Sequence, residues 1–173
     1  MTKTILSAVD RISAGLGRIA EVVVLILIAA MLYEVVARYV FGAPTLWAFD
    51  IAYMSTGVLF VLGAAQALRE DAHVRIDVLS SRFPARVRGW IDGIAFLFIL
   101  CPIFGKLALI AGQRAWRAFT THEVEHVSPW APVMWPFYSL LTIGLIALAL
   151  QLAAEGIRAF TAPRQDDEFR LEN

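Results

Sequence analysis

The chain has 173 residues, of which 59% are hydrophobic and 17% are charged, and its formal net charge is zero. Soluble domains carry about 45–50% apolar and about 25% charged residues, so this composition indicates a membrane protein rather than a soluble domain. One cysteine excludes an internal disulfide and a cysteine-based zinc cluster, and no basic stripe of the kind that nucleic acid requires is present in the sequence.

The first segment, residues 2–17, has the pattern of an amphipathic helix. Its apolar residues recur at spacings of three and four, continuing into the first apolar run: Ile5, Val9, Ile12, Leu16 and Ile19. A helix of this kind would lie on the membrane surface before the chain turns into its first span. A frayed polar lead-in to that span accounts for the pattern nearly as well.

Four long apolar runs follow this segment. They lie at about residues 19–40, 47–68, 90–113 and 130–154. A helix needs about 20 mostly apolar residues to cross about 30 Å of hydrocarbon, and the length and continuity of these runs exclude barrel strands. We therefore predict an all-α, polytopic membrane protein with one four-helix domain over residues 1–160. A polar tail follows at residues 161–173, which we expect to be disordered.

A charged connector, residues 69–88, separates the second and third runs. Four of its apolar residues fall on one helix face, which predicts an interfacial helix kinked at Pro84: Ile76, Leu79, Phe83 and Val87. The polar residues of this connector that we single out are Arg69, His73, Arg75 and Asp77. A lone histidine among mixed charges, such as His73, is more often structural than catalytic.

The distribution of Lys and Arg predicts the orientation in the membrane. Eleven lie in the N-terminal segment, the connector and the C-terminal segment: Lys3, Arg11, Arg18, Arg69, Arg75, Arg82, Arg86, Arg88, Arg158, Arg164 and Arg170. The other connections carry Arg38, Arg114 and Arg117. Because positively charged connections stay in the cytoplasm, both chain ends are predicted to be cytoplasmic.

Among the charged residues within or beside the apolar runs we single out four: Glu34, Arg38, Asp50 and Lys106. Charge inside a membrane is costly, so each is a candidate functional residue. Glu34 and Arg38 have the spacing of an intrahelical ion pair, and all four are expected to gather near the outer face. An ion path is one interpretation. Mutual neutralisation with a polar surface for a partner is favoured, because no acidic residue lies at mid-membrane to continue a relay.

The sequence HEVEH at residues 122–126 matches the H-E-x-x-H pattern of zinc proteases. On a helix that spacing places two imidazoles, here His122 and His126, on one face, with Glu123 as general base. A catalytic zinc also needs a third protein ligand, and no His, Asp or Glu follows nearby. We therefore expect an exposed charged loop, no metal and no enzyme activity, with a membrane zinc metalloprotease as the alternative.

Three stretches together resemble the small membrane subunit, the DctQ-type or Q subunit, of TRAP transporters, the tripartite ATP-independent periplasmic transporters. They are RYVFGAP at 38–44 followed by Trp47 and Asp50, LGAA at 62–65 followed by HVRIDVL at 73–79, and SPWAP at 128–132 followed by Trp135 and Pro136. The resemblance covers roughly residues 15–160. Asp50 departs from the family, which more often has Glu there, but the charge is kept.

The resemblance implies a three-part import system in a bacterial inner membrane. A periplasmic binding protein captures an organic acid, such as a carboxylate or 2-oxo acid, and a large membrane subunit carries it in an elevator-type movement driven by sodium. The small subunit would be a scaffold that binds neither substrate nor cofactor, with sodium coupling in the large subunit. A self-sufficient small carrier is a further alternative, although a span bundle without mid-membrane charge would make a poor carrier alone.

Two groups of residues acquire expected roles from this resemblance. The charge cluster of Glu34, Arg38, Asp50 and Lys106 would organise assembly with the large subunit. The docking face for the binding protein would comprise Arg114, Arg117, His122, Glu123, Glu125, His126 and Trp130. The remaining partner is membrane lipid, and no nucleic acid is expected.

Overall fold

The computed structural model describes residues 2–70 and 85–161, and helices make up most of this part of the chain. The helices are α1 (Thr2–Tyr39), α2 (Ala48–Arg69), α3 (Ala85–Ile94), α4 (Cys101–Thr120) and α5 (Trp135–Thr161), with a π-helical segment (Ala95–Leu100) joining α3 to α4. Among the described residues the only strand-like pairing is an isolated antiparallel bridge between Val124 and Val133. The predicted all-α fold is confirmed.

Four helical stretches are long and apolar enough to cross a membrane, as predicted. They are Leu6–Tyr39, Ala48–Arg69, Gly89–Thr120 and Trp135–Thr161. Most of the predicted interfacial helix, together with His73, Arg75 and Asp77, lies outside the described residues, as do residues 162–173 of the predicted tail.

The amphipathic N-terminal segment is helical, but it is not a separate helix on the membrane surface. It continues without a break into the first span as α1. The reason lies in tertiary contacts: Ser13 and Gly17 are buried, and a Cβ at Gly17 would stand 1.1 Å from the amide oxygen of Gln66 on α2. Contacts on one face of this segment therefore hold it against the bundle, in line with the rest of α1.

Helix α5 is the centre of the bundle, since it packs against α1, α2, α3, the π-helical segment and α4. Helix α4 packs against α5, whereas α1 packs chiefly against α2. Two small cores result: Ala65 and Leu68 meet Ala147, Leu148 and Leu152, while Ala20 meets Val58 and Leu62. Small residues let the helix backbones approach closely, which is the usual basis of helix association in membranes.

Helices α2 and α5 approach each other closely at Gly144. A Cβ there would lie 2.7 Å from Val61 Cγ1 and 3.1 Å from the Val61 backbone carbonyl carbon. Since backbone cannot swing away as a flexible side chain can, only glycine fits at this crossing.

The third span contains the π-helical segment because of Pro102. Proline has no N–H, and its ring clashes with the carbonyl one turn earlier in a regular helix. The helix widens just before Pro102. The N–H of Cys101 donates to the carbonyl of Phe96, five residues earlier, rather than to that of Leu97 as in a regular α-helix. With this π-helical segment the third span is one continuous helical stretch from Gly89 to Thr120.

Candidate functional site

Polar side chains concentrate at two ends of the bundle. We call the end formed by residues 40–47 and 121–134 the loop end. The terminal end is the opposite one, where the first turns of α1 meet the last turns of α5.

Glu34 organises the turn between α1 and α2 at the loop end. Its side chain is buried, and Oε1 accepts hydrogen bonds from Arg38 Nε at 2.8 Å and Nη2 at 2.5 Å. Oε2 accepts from the Thr45 N–H at 2.9 Å and also from the Thr45 hydroxyl. Gly42, with φ of +63°, reverses the chain between these contacts. One carboxylate thus neutralises Arg38 and fixes the start of α2.

Asp50 fastens the 121–134 loop to α2. It lies in the first turn of α2, is 1% exposed, and accepts a hydrogen bond from the Ser128 hydroxyl. The Ser128 oxygen in turn accepts from the Trp130 N–H at 3.1 Å. A carboxylate is stabilised in the first turn by the helix dipole, so Asp50 suits this position. The described residues contain no hydrogen bond between Asp50 and Glu34, although both lie at the loop end.

Glu125 is the second carboxylate that holds the 121–134 loop. It accepts hydrogen bonds from the N–H groups of His126 at 3.0 Å and Val127 at 3.2 Å, and from the Tyr53 hydroxyl at 3.2 Å. The Val127 N–H, aided by the other two donors, holds the pKa of the Glu125 carboxyl below its usual value of 4.5. Asp50 and Glu125 both line a cavity of about 270 Å³, walled by Leu46, Phe49, Tyr53, Val127, Ser128 and Pro129.

We expect the order of this loop to depend on pH in one direction. A lowered carboxyl pKa contributes stability that is complete above 4.5 and is lost as the pH falls through the folded-state pKa. Hydrogen exchange of residues 121–134, corrected for intrinsic rates, should therefore be slow at about pH 6 and faster at about pH 3. Glu125→Gln should exchange fast at both values. An unchanged pH response in Glu125→Gln, with the exposed Glu21→Gln as control, would refute this role.

The HEVEH segment does not have the helical geometry that the zinc-protease pattern requires. Helix α4 ends at Thr120, His122 has a φ of +50°, and Val124 pairs with Val133, so the two imidazoles do not share a helix face. Over residues 2–70 and 85–161 no three His, Cys, Asp or Glu side chains form a group that could hold a metal. The geometry contradicts the zinc metalloprotease alternative, because a chain-reversing loop occupies the place of the required helix.

The other residues of the predicted docking face also lie at the loop end. Arg114 pairs with Glu123 at 2.6 Å and stands 5.4 Å from the centre of the Tyr138 ring. Arg117, His122, His126 and Trp130 are exposed there, while Glu123 and Glu125 are half-buried. The structure therefore brings the seven residues of this face to one end of the molecule.

Lys106 does not join Glu34, Arg38 and Asp50, contrary to the prediction. It lies seventeen residues after Gly89 and fourteen before Thr120, or about 25 Å and about 21 Å of helix. It also belongs to α4, on the far side of α5 from most of α1. The prediction failed because it counted from a span that began at residue 90 and ended at 113, whereas the helix continues to Thr120.

A polar network at the terminal end was not predicted. Arg158 binds Asp10 Oδ2 at 2.6 Å and Glu155 Oε1 at 2.5 Å. Gln151 accepts from the Ser13 hydroxyl at 2.8 Å and donates to Asp10 at 3.2 Å and Glu155 at 3.1 Å. The sequence did contain one indication of this network. Gln151, Glu155 and Arg158 are spaced by four and three residues, which places them on one face of a helix.

Arg69 extends this network to α2. Its Nη1 donates to the backbone carbonyl of Asp10 at 3.1 Å, and Nη2 lies 3.6 Å from Glu70 Oε1. Arg69 was predicted as a residue of the charged connector. In the structure it is also the link by which α2 joins α1 and α5 at the terminal end.

Two curated proteins are similar to this chain. The C4-dicarboxylate TRAP transporter small permease protein DctQ of Vibrio cholerae serotype O1 is 29% identical over 90 residues, which are 52% of this chain and 38% of that protein. The sialic acid TRAP transporter permease protein SiaT of Haemophilus influenzae is 27% identical over 74 residues, 43% of this chain and 12% of that protein. The chain thus covers less than half of either relative. No solved structure matches it.

A family model described as the DctQ component of tripartite ATP-independent periplasmic transporters matches residues 27–162, which is most of the chain. With four helices that can cross a membrane, this match indicates a multi-pass protein of the inner membrane. It also confirms that the chain is a transporter component and not an enzyme. The resemblance drawn from the sequence motifs is correct: the chain belongs to the DctQ component family of TRAP transporters.

Proposed function

We propose that this chain is the small scaffold subunit of a sodium-coupled TRAP transporter that imports organic acids. It would act with a large membrane subunit, which carries substrate and sodium, and with a periplasmic binding protein. The observation that carries the proposal is the family match over residues 27–162. The names of the two relatives refer to C4-dicarboxylates and to sialic acid, which supports an organic acid as the substrate class.

The contacts at the loop end support a scaffold role. Glu34 and Arg38 neutralise each other, Arg114 and Glu123 do the same, and Asp50 is satisfied by Ser128. These contacts hold the turn and the loop in place, and they neutralise both arginines within the chain. A preformed polar surface at one end of a rigid bundle is suited to receive a protein partner.

The distribution of positive charge supports an orientation of the chain in the membrane. Four arginines lie at or towards the terminal end: Arg11, Arg18, Arg69 and Arg158. Because positively charged segments stay in the cytoplasm, this end is expected to be the cytoplasmic one. The loop end then faces the periplasm. Its exposed residues Arg117, His122, His126 and Trp130 would receive the binding protein, with Arg114, Glu123 and Glu125 shaping the surface beneath.

The first test is purification of the tagged chain from native membranes in mild detergent. Mass spectrometry should identify one larger polytopic protein in equal amount. A chain that purifies alone while the large neighbour is expressed would contradict the proposal. Sodium coupling is tested separately: proteoliposomes with all three components should take up the organic acid faster under an inward sodium gradient, and equal uptake without sodium would refute coupling.

We expect Arg38→Ala to reduce assembly with the large subunit or substrate uptake. Loss of the guanidinium leaves the buried Glu34 carboxylate without its cation and loosens the turn that starts α2. Arg11→Ala, an exposed arginine of the same helix at the terminal end, is the matched control. Intact assembly together with full uptake in Arg38→Ala would remove this residue from the functional set.

A further inference from the structure

We propose that the outward face of α4 around Lys106 binds a transmembrane helix of the large membrane subunit, and that this helix presents a carboxylate to the Lys106 ammonium. This rests on the proposed function, which supplies the large subunit as partner. The residues of this surface, the Lys106 face, share one side of α4 and are all exposed: Ile103, Lys106, Ile110 and Gln113.

The depth of Lys106 follows from contacts on either side of it. A Cβ at Gly112 would meet Thr142 Cγ2 at 3.4 Å, and a Cβ at Gly156 would meet Leu97 Cβ at 3.0 Å. Lys106 lies between Leu97 and Gly112 in the chain, so it is level with the stretch of α5 between Thr142 and Gly156. That stretch contains the middle of α5, which runs from Trp135 to Thr161. Lys106 is therefore level with the middle of the fourth span.

The residues that the structure describes supply no ion-pair partner for this ammonium. Within the described part of the chain no ion pair involves Lys106, and its side chain is exposed. The buried side of α4 is formed by Ala108, Ala115 and Ala118, which pack towards α5. At 3.6 residues per turn Lys106 points away from that side. Lys106 thus faces away from the bundle, towards either lipid or a partner protein.

Lipid is a poor occupant for this face. Half of a hydrocarbon layer is about 15 Å, which is farther than four methylenes can carry an ammonium towards the surface. Charged side chains in membrane spans pair with one another or with polar protein groups. A carboxylate on the neighbouring helix would satisfy Lys106 and cancel its charge at the same depth.

The rest of the Lys106 face fits a helix rather than a lipid chain. Gln113 follows Lys106 at seven residues on the same side of the helix, which extends a polar stripe towards the loop end. Ile103 and Ile110, 50% and 54% exposed, flank Lys106 one turn away on each side. A polar stripe edged by branched apolar residues matches a packed interface between two helices, in which amide and charged groups bond across.

Site-directed photo-crosslinking in the intact complex tests this interface. Benzoylphenylalanine at Ile110 should link the chain to the large subunit. Phe60, which is 79% exposed on α2, is the matched control position and should give at least fivefold less of that adduct. If the complex is intact but Ile110 links only to lipid or to a second copy of this chain, the proposal is overturned.

Charge reversal gives an independent test. Lys106→Glu should lower the amount of large subunit that co-purifies at least tenfold, whereas Lys106→Arg should retain most of it. The thermal unfolding midpoint of the isolated chain should be unchanged in both, since the side chain is exposed. Full recovery of the large subunit with Lys106→Glu would overturn the interface. If even the wild-type chain recovers none of an expressed large subunit, the proposed function itself fails, and the two failures are thereby distinguished.

Discussion

Arg158→Ala should lower the free energy of unfolding by about 3 kcal/mol, at the low end of the range for breaking a buried ion pair. Arg158 binds both Asp10 on α1 and Glu155 on its own helix, so its loss removes the cation common to two carboxylates. The side chain is 31% exposed, which keeps the effect from being larger. The measurement is thermal or denaturant unfolding of the purified chain in detergent.

Arg18→Ala is the control for this prediction, because Arg18 is an exposed arginine of α1 and none of the ion pairs between described residues includes it. Adding Asp10→Asn and Glu155→Gln to Arg158→Ala should recover part of the loss, since it removes the charges that were left behind. An equal loss in Arg18→Ala, or no recovery in the triple variant, would show that the network does not stabilise the bundle through its charges.

Gly144→Leu should disrupt the packing of α2 on α5, at a cost of about 3 kcal/mol or more. The new Cβ would meet Val61 Cγ1 at 2.7 Å and the Val61 backbone at 3.1 Å, so the two helices must move apart. Since α5 packs against every other helix, the whole bundle should be affected. We expect a large fall in the yield of folded chain and in its unfolding midpoint.

Gly63→Leu provides the matched control on α2. A Cβ at Gly63 would meet no atom within 4 Å, so the same change there should be tolerated, and the gain in helix propensity is up to about 1 kcal/mol. If both leucine variants unfold alike, the close approach at Gly144 is not what limits substitution.

The spans and the ion pair of Glu34 with Arg38 could be predicted because both depend on local sequence. A long run of apolar residues predicts a membrane span without knowledge of its neighbours. Two side chains four residues apart are neighbours on any helix. The structure has that pair at 2.5 Å. Hydrophobicity does not, however, define where a helix ends. For this reason the sequence did not predict that α4 continues to Thr120. It also did not predict that Lys106 lies deeper than its position in the apolar run suggested.

Contacts between distant segments could not be predicted from one sequence. Asp50 meets Ser128, and Asp10 meets Arg158, across 78 and 148 residues of chain. These pairs depend on which faces of α1, α2 and α5 turn inward, and several faces of an apolar helix are almost equally hydrophobic. The same uncertainty hid the continuity of α1, whose N-terminal turns are held by partners on α2 and α5 rather than by local propensity.

The central place of α5 has a consequence for biosynthesis. Chains leave the ribosome from the N-terminus, so α1 and α2 can pair as a hairpin while α5 is still being translated. The third span, which packs mainly against α5, must wait in the bilayer with its Lys106 ammonium and without its main neighbour. We therefore expect tertiary contacts to protect the third span least in the interval between its insertion and that of the fourth span.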